Sequence, residues 1–388
     1  MKIYHELIPI KFGKVALARL VISVGSSLEA GASLGITHFL EHALYAKLEN
    51  YLRTHQLDYA VNFLTATTHR DRLEFDFAFT ASDSKKIDKL VELIQEPLMV
   101  SQAVLKREMA ILLRELSEEE AEPDYDNNLA ESTWLYAKPF TQPNGGTQAS
   151  IRTITAEQLR QWHEKYIRRG CGLFITNFAV TNKVNYLPFN HHPIINLTSK
   201  FGPVRKAGAV NLERANGDDA VVRAYCFVPV RNESENNFSV IMNYYLTEQL
   251  KQYFDANGES YYFGADMYIV GNITEHSLSA TIPLDAVERT KRYLADLMQS
   301  LATISEADFI ILRENVRRSL VISEANPQIQ FENAAFAAAV WGDDWQSYKR
   351  ASEELKSVSY MDFQKFIQTT KIMQGGIWRV TRAHGVDK

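Results

Sequence analysis

His38-Phe39-Leu40-Glu41-His42 sets two imidazoles four residues apart, with a carboxylate one residue before the second. On a helix, side chains at i, i+3 and i+4 share one face. The three groups can then meet at one point, with two nitrogens for a metal ion and one carboxylate for a water molecule. A second set of candidates lies in 101–121. Glu108 and Glu115, two turns apart, fall inside the apolar arc of Val104, Leu105, Ile111, Leu112 and Leu116, with Lys106, Arg107 and Arg114 opposite. Carboxylates on the buried side of a helix call for a cation, or for ion pairs with Arg107 and Arg114. A tetrahedral catalytic metal takes three protein ligands and keeps one position open, so this segment is a candidate source of the third.

The elements that must position these groups are legible from periodicity. At about 100° per residue, Ile36, Phe39, Leu40, Ala43, Leu44 and Ala46 cover most of a helix circumference. His38, Glu41, His42 and Tyr45 occupy the remaining arc, so a buried helix carries one polar strip. The alternative is a pair of core histidines satisfied by local hydrogen bonds. Leu73, Phe75 and Phe77 alternate with Glu74 and Asp76, which predicts a half-buried strand. Thr68-His69-Arg70-Asp71 turns into it from a strand holding Asn62. Further strands are expected near 2–10, 14–25 and 172–177, and helices at about 84–96, 101–121, 125–137 and from Thr155 onward.

The last of these units recurs. Thr153 to Leu159 matches Ser357 to Phe363 at an offset of 204 residues, each with a hydroxyl N-cap (Thr155, Ser359) and a polar residue three later. Two homologous α+β halves follow, 1–185 and 211–388, joined by 186–210, a stretch rich in Pro, Asn and His. The same offset carries the His/Glu/His motif onto Met242-Asn243-Tyr244-Tyr245-Leu246, where no ligand remains. His191 and His192, beside Pro193, read as surface residues.

HFLEH followed by Glu108 and Glu115 in REMAILLREL resembles the pitrilysin/insulinase family of zinc peptidases, which carry an inverted H-x-x-E-H helix. VGSSLEAGASLGITHFLEH, Asn62-Phe63-Leu64-Thr65 and QPNGGTQASIRTITAEQL are similar to family segments too, so the likeness covers most of the first 180 residues and, more weakly, the rest. The resemblance implies two halves, each a mainly antiparallel sheet packed by helices, and one Zn2+ per chain. It implies His38, His42 and Glu115 as ligands, Glu41 as general base, Glu108 as a supporting carboxylate, and the strand at Asn62, Phe63 and Thr65 as the substrate holder. The implied activity is endopeptidase cleavage of unfolded peptides by metal-activated water. A non-catalytic peptide-binding or assembly subunit is the alternative.

One departure stands in the second half. Related peptidases carry there an Arg seven residues before a Tyr that holds substrate. Tyr261 fits the tyrosine, but Phe254 occupies the arginine position and the nearest cation is Lys251. Two-half members of the family work as dimers, so a heterodimer is expected with a homologous subunit that lacks HxxEH and supplies the Arg. A homodimer is the other arrangement.

Composition sets the outer bounds. The 388 residues are 46% hydrophobic and 23% charged, ordinary for a globular chain, and the net charge of −5 gives no reason to expect nucleic acid. Acidic residues from Glu118 to Asp126 read as a solvated helix end. Cys171 and Cys226 alone predict no disulfide framework. No apolar run reaches the length of a membrane span, and the N-terminus enters strand-like sequence without a secretory or transit pattern, so a cytoplasmic location is expected.

Overall fold

A computed structural model describes residues 1–55, 63–122, 125–180, 184–195, 208–211, 219–258, 260, 262–372 and 377–382. The chain begins β1 (Lys2–Leu7), β2 (Val15–Ile22), α1 (Ile36–Thr54), β3 (Phe63–Thr68), β4 (Leu73–Thr80), α2 (Ser84–Gln95), α3 (Gln102–Ala121) and α4 (Tyr125–Leu135). It continues through α5 (Gln148–Ile151), α6 (Ala156–Trp162), β5 (Cys171–Thr176) and β6 (Tyr186–Pro188). Next come β7 (Gly208–Asn211), β8 (Asp219–Pro229), α7 (Glu233–Asn257), β9 (Tyr262–Val270), β10 (Ile273–Pro283) and α8 (Val287–Ser300). The last elements are α9 (Glu306–Glu324), α10 (Pro327–Trp341), α11 (Trp345–Glu354), α12 (Tyr360–Thr369), β11 (Lys371–Ile372) and β12 (Ile377–Arg382). The fold is α+β, as the sequence pattern predicts.

Two sheets share one topology. The first runs β3-β4-β2-β5-β1-β6 and the second β7-β12-β8-β10-β9. In each, a hairpin (β3–β4, β9–β10) pairs antiparallel with a long strand (β2, β8), which pairs antiparallel with the strand closing its half (β5, β12). A parallel strand follows in both, β1 on β5 and β7 on β12.

The repeat extends to helix caps and burial. Ser101 and Ser305, 204 residues apart, each accept the N–H of the third residue on, at 3.2 and 3.1 Å. Thr155 and Ser359, predicted as caps, do the same for Gln158 and Asp362. Along α3 and α9, Leu105 matches Phe309 and Leu112 matches Val316, all buried. By this register Glu108 corresponds to Leu312, which is buried, as are Met242 and Leu246 on α7. Apolar side chains therefore fill the second half where the first half carries its polar cluster.

Packing divides the chain into two units that do not follow chain order: Met1–Glu122 with Gln142–Lys200 and Ser323–Tyr348, and Pro123–Thr141 with Phe201–Ile322 and Lys349–Lys388. Relative to contiguous halves at 1–185 and 211–388, each unit holds one helical stretch from the other half of the sequence. In the first unit α10 is held by Ile194 N–H on Ala339 O at 3.0 Å and by the Arg72 guanidinium 5.2 Å from the Phe336 ring centre. In the second, Glu131 of α4 accepts from Tyr225 Oη at 2.7 Å and Arg223 at 2.9 Å. Local sequence patterns cannot reveal such an exchange, because each helix is amphipathic or apolar whichever sheet it covers.

The core of the first unit lies between its sheet and α1, α2, α3 and α6. Leu73, Phe75, Phe77 and Phe79 of β4 are buried against Leu40, Leu44 and Leu48 of α1 and Ile87 and Leu90 of α2. Each such side chain contributes about 1.5–3 kcal/mol on burial. This packing fixes α1 along its length and so fixes its polar strip. Cys171 and Cys226 are free thiols. Among the described residues no helix is long and apolar enough to cross a membrane.

Candidate metal centre

The motif helix starts in an unusual way. Its N-cap, Gly35, is left-handed at φ +82°, and no side chain of its own caps the first turn. Glu29 does so from outside: its two carboxylate oxygens accept the N–H of Gly35 at 2.6 Å and of Thr37 at 2.8 Å. Burial pushes this carboxyl up to about 7, against the pull of its bonds to Thr37 and Gly35. Gly35 also meets Gly146: a Cβ on either would come within 2.7 Å of the other's segment. Any side chain there would break the contact between the helix entry and the 143–146 loop.

Further along the helix His38, Glu41 and His42 converge, with one ligand atom from each lying within 4.8 Å of the others. The imidazoles pack edge to face at 4.9 Å and 82°. Glu115 of α3 points a carboxylate oxygen at both rings, 3.4 Å from His42 Nε2 and 3.9 Å from His38 Nε2. With zinc–ligand distances of 2.0–2.1 Å, ligand atoms of a tetrahedral site lie about 3.4 Å apart. The donor set and its spacing fit zinc.

The groups behind the ligands are asymmetric. Glu108 Oε2 lies 3.6 Å from His42 Nδ1, the side away from Glu115, and its other oxygen takes a 2.7 Å bond from Arg107. His38 Nδ1 is buried with the Gly145 backbone packed beside it, so closely that a Cβ on Gly145 would lie 3.2 Å from it. Burial, then the His42 charge, lowers the His38 pKa to about 4, with the Gly145 backbone acting the other way. At neutral pH the ring is therefore neutral, the form a metal requires. Glu108 is almost wholly buried, whereas the Glu115 side chain is 41% exposed, so the site opens to solvent on the Glu115 side.

Glu41 is buried and held by Thr68 at the end of β3. Thr68 Oγ1 donates to Glu41 Oε2 at 2.6 Å, and the Thr68 backbone also supports the carboxylate. Burial raises the Glu41 pKa and the Thr68 bond opposes that rise. Asn144 ties the same corner together, donating to Thr68 O and receiving the Ser26 hydroxyl.

The structure thus brings His38, Glu41, His42, Glu108 and Glu115 together. Among the described residues β3 pairs with β4 alone, at the edge of its sheet, with Phe63 56% exposed and Thr65 part-buried. Asn62 and Tyr261 lie outside the described residues. Phe254 is buried and stacks on Phe263 at 5.2 Å, so the position where the resemblance looks for an arginine belongs to the core, while Lys251 is exposed on α7. Sequence reasoning missed Glu29, Thr68 and Gly145 as site residues. Only the glycine pair 145–146 gave a local signal, that of a close backbone approach.

Against known proteins, residues 8–141 match the family model "Insulinase (Peptidase family M16)". A curated relative, the mitochondrial cytochrome b-c1 complex subunit 1 of Caenorhabditis elegans, is 26% identical over 157 residues, 38% of this chain and 32% of that one. The chain thus spans about a third of that relative's length. A protease from Helicobacter pylori shares the fold at a TM-score of 0.75 and 14% identity, over 97% of this chain and 96% of that one. A peptidase M16 inactive domain from Pseudomonas fluorescens does so at 0.74 and 12%, over 100% and 96%. At these identities the structural likeness defines the fold alone.

Proposed function

We propose that this chain is a zinc-dependent endopeptidase acting on unfolded peptides. The observation that carries the reading is the convergence of His38, His42 and Glu115 beside a buried Glu41 held by Thr68. Zinc held by His38, His42 and Glu115 would supply polarisation of the scissile carbonyl and a water of pKa about 7. Glu41 would serve as general base, taking a proton from the attacking water and passing it to the leaving nitrogen. Thr68 keeps Oε2 engaged, so the carboxylate cannot rotate away. Glu108 orients His42 through Nδ1. A substrate strand adds to the edge of β3, along Phe63 and Thr65.

The second half supplies no arginine at Phe254, and an absent oxyanion donor costs about 10²–10³ in rate. The chain therefore works as the metal-bearing subunit of a heterodimer whose homologous partner brings that group; a homodimer is the alternative. A second reading, a non-catalytic peptide-binding or assembly subunit, is favoured by the likeness to a cytochrome b-c1 complex subunit and to an inactive M16 domain.

The test is cleavage of a mixed peptide library by the zinc-loaded chain and its Glu41→Gln variant. Cleavage by the parent and none by the variant supports the peptidase and removes the need for a partner. Silence from both, ended for the parent but not for the variant by adding a homologous arginine-bearing chain, supports the heterodimer. Silence that no such chain ends, with peptide still bound, sinks the enzyme and leaves the binding subunit.

A further inference from the structure

Helix α9 buries Phe309, Leu312 and Val316 on its inner side. Its outer side carries Ile310 at 48% exposure, Ile311 at 59%, Val321 at 50% and Ile322 at 74%, with Glu314 and Arg318 between the two apolar ends. At about 100° per residue these six positions fall within one arc of roughly 120°. Single exposed apolar residues need no explanation, but a stripe along one helix does.

The fold does not impose this stripe. Shifted by 204 residues onto α3, the four apolar positions become Lys106, Arg107, Ser117 and Glu118, all exposed. The same face of the same helix is polar in the first half and apolar in the second, so something other than the fold accounts for the isoleucines.

We propose that this face pairs with α9 of a second copy of the chain, antiparallel about a two-fold axis midway between Glu314 and Arg318. In that register Ile310 opposes Ile322, Ile311 opposes Val321 and Glu314 opposes Arg318, each contact made twice, as an isologous interface requires. A parallel register would set Glu314 against Glu314 and Arg318 against Arg318, so the charges select the antiparallel one. Within one chain Glu314 already binds Arg317 and Arg318 at 2.7 and 3.1 Å. The dyad extends that cluster across the contact. From Ile310 to Ile322 the helix rises ~18 Å. A contact that short is smaller than a standard interface and predicts a weak, concentration-dependent pair with a Kd on the order of micromolar.

The proposal is independent of the peptidase reading, because its readout is mass. Sedimentation equilibrium of the full chain, across two decades of concentration around the micromolar range, should show a monomer–dimer equilibrium. The Ile311→Lys/Ile322→Lys variant should stay monomeric. Glu314→Lys alone and Arg318→Glu alone should each weaken the dimer at least about tenfold by juxtaposing like charges. Mixing those two variants should restore it, since the introduced lysine of one chain then faces the introduced glutamate of the other, while the native Arg318 of the first faces the native Glu314 of the second. That rescue also shows both variants to be folded. A parent that is monomeric throughout, a dimer untouched by the two lysines, or no rescue on mixing would overturn the proposal, and so would a stripe that binds only a different homologous chain.

Discussion

Thr68 Oγ1 donates a 2.6 Å hydrogen bond to Glu41 Oε2, joining the last residue of strand β3 to the carboxylate of the motif helix. The element that would receive a peptide and the group that would move a proton are therefore one hydrogen bond apart. Thr68→Val, nearly isosteric, should lower turnover of the zinc-loaded protein by about 10–100-fold, the range seen when a supporting hydrogen bond is lost. Thr68→Ser should keep most of the activity. Metal analysis should find the same zinc content in all three proteins, which separates a positioning effect from a lost site.

Glu108 lies between Arg107 and His42 Nδ1, and its burial leaves His42 no ready substitute on that side. Glu108→Gln should weaken zinc binding by about 10–100-fold in competition with a chromogenic chelator. Arg107→Ala should have a smaller effect, because its guanidinium is half exposed and water can replace it. Equal affinities for the parent and Glu108→Gln would remove Glu108 from the account.

The glycines allow a clean contrast. Gly35 is at φ +82°, and a Cβ there would lie 2.5 Å from Gly145 O. Gly13 is at φ +56° with nothing within 4 Å. Gly13→Ala should cost about 1 kcal/mol in urea unfolding, from backbone strain alone. Gly35→Ala adds a backbone collision and should cost about 3 kcal/mol or more.

Glu29 predicts a pH dependence whose sign follows from its burial. Its carboxyl is raised from the ordinary 4.5 to about 7. Between those values the folded chain holds a proton that the unfolded chain has released, so stability falls as pH rises through the window. The full effect is on the order of 3 kcal/mol. Thermal unfolding of metal-free protein from pH 5 to 8 should show this decline, and Glu29→Gln, which cannot titrate, should flatten it. An unchanged slope in the variant would assign the decline to another group.

How far the site could be read from sequence depended on chain separation. His38, Glu41 and His42 share a helix face by spacing alone, and Glu108 and Glu115 repeat at two turns, so helix geometry placed all five on buried or half-buried faces. Thr155 and Ser359 were legible for the same reason, since a cap and its target lie three residues apart. Thr68 and Glu41 are 27 residues apart and meet only once β3 lies beside α1. Gly145 reaches His38 across an even longer separation, and no periodicity carries that information. Glu29 sits in a loop whose composition suggests nothing beyond a turn, and its role appears only when the helix is found to lack a cap of its own.

The exchange of α4 and α10 between the two units bears on how this protein can be cut. A fragment ending in the 186–210 connection would leave one sheet without the helix that covers it and send that sheet's own helix into solution with the wrong partner. Neither piece would be a natural unit for separate expression. An ancestral duplication that began as two self-contained copies would, after such an exchange, have lost the option of separating again, since each copy had come to complete its neighbour.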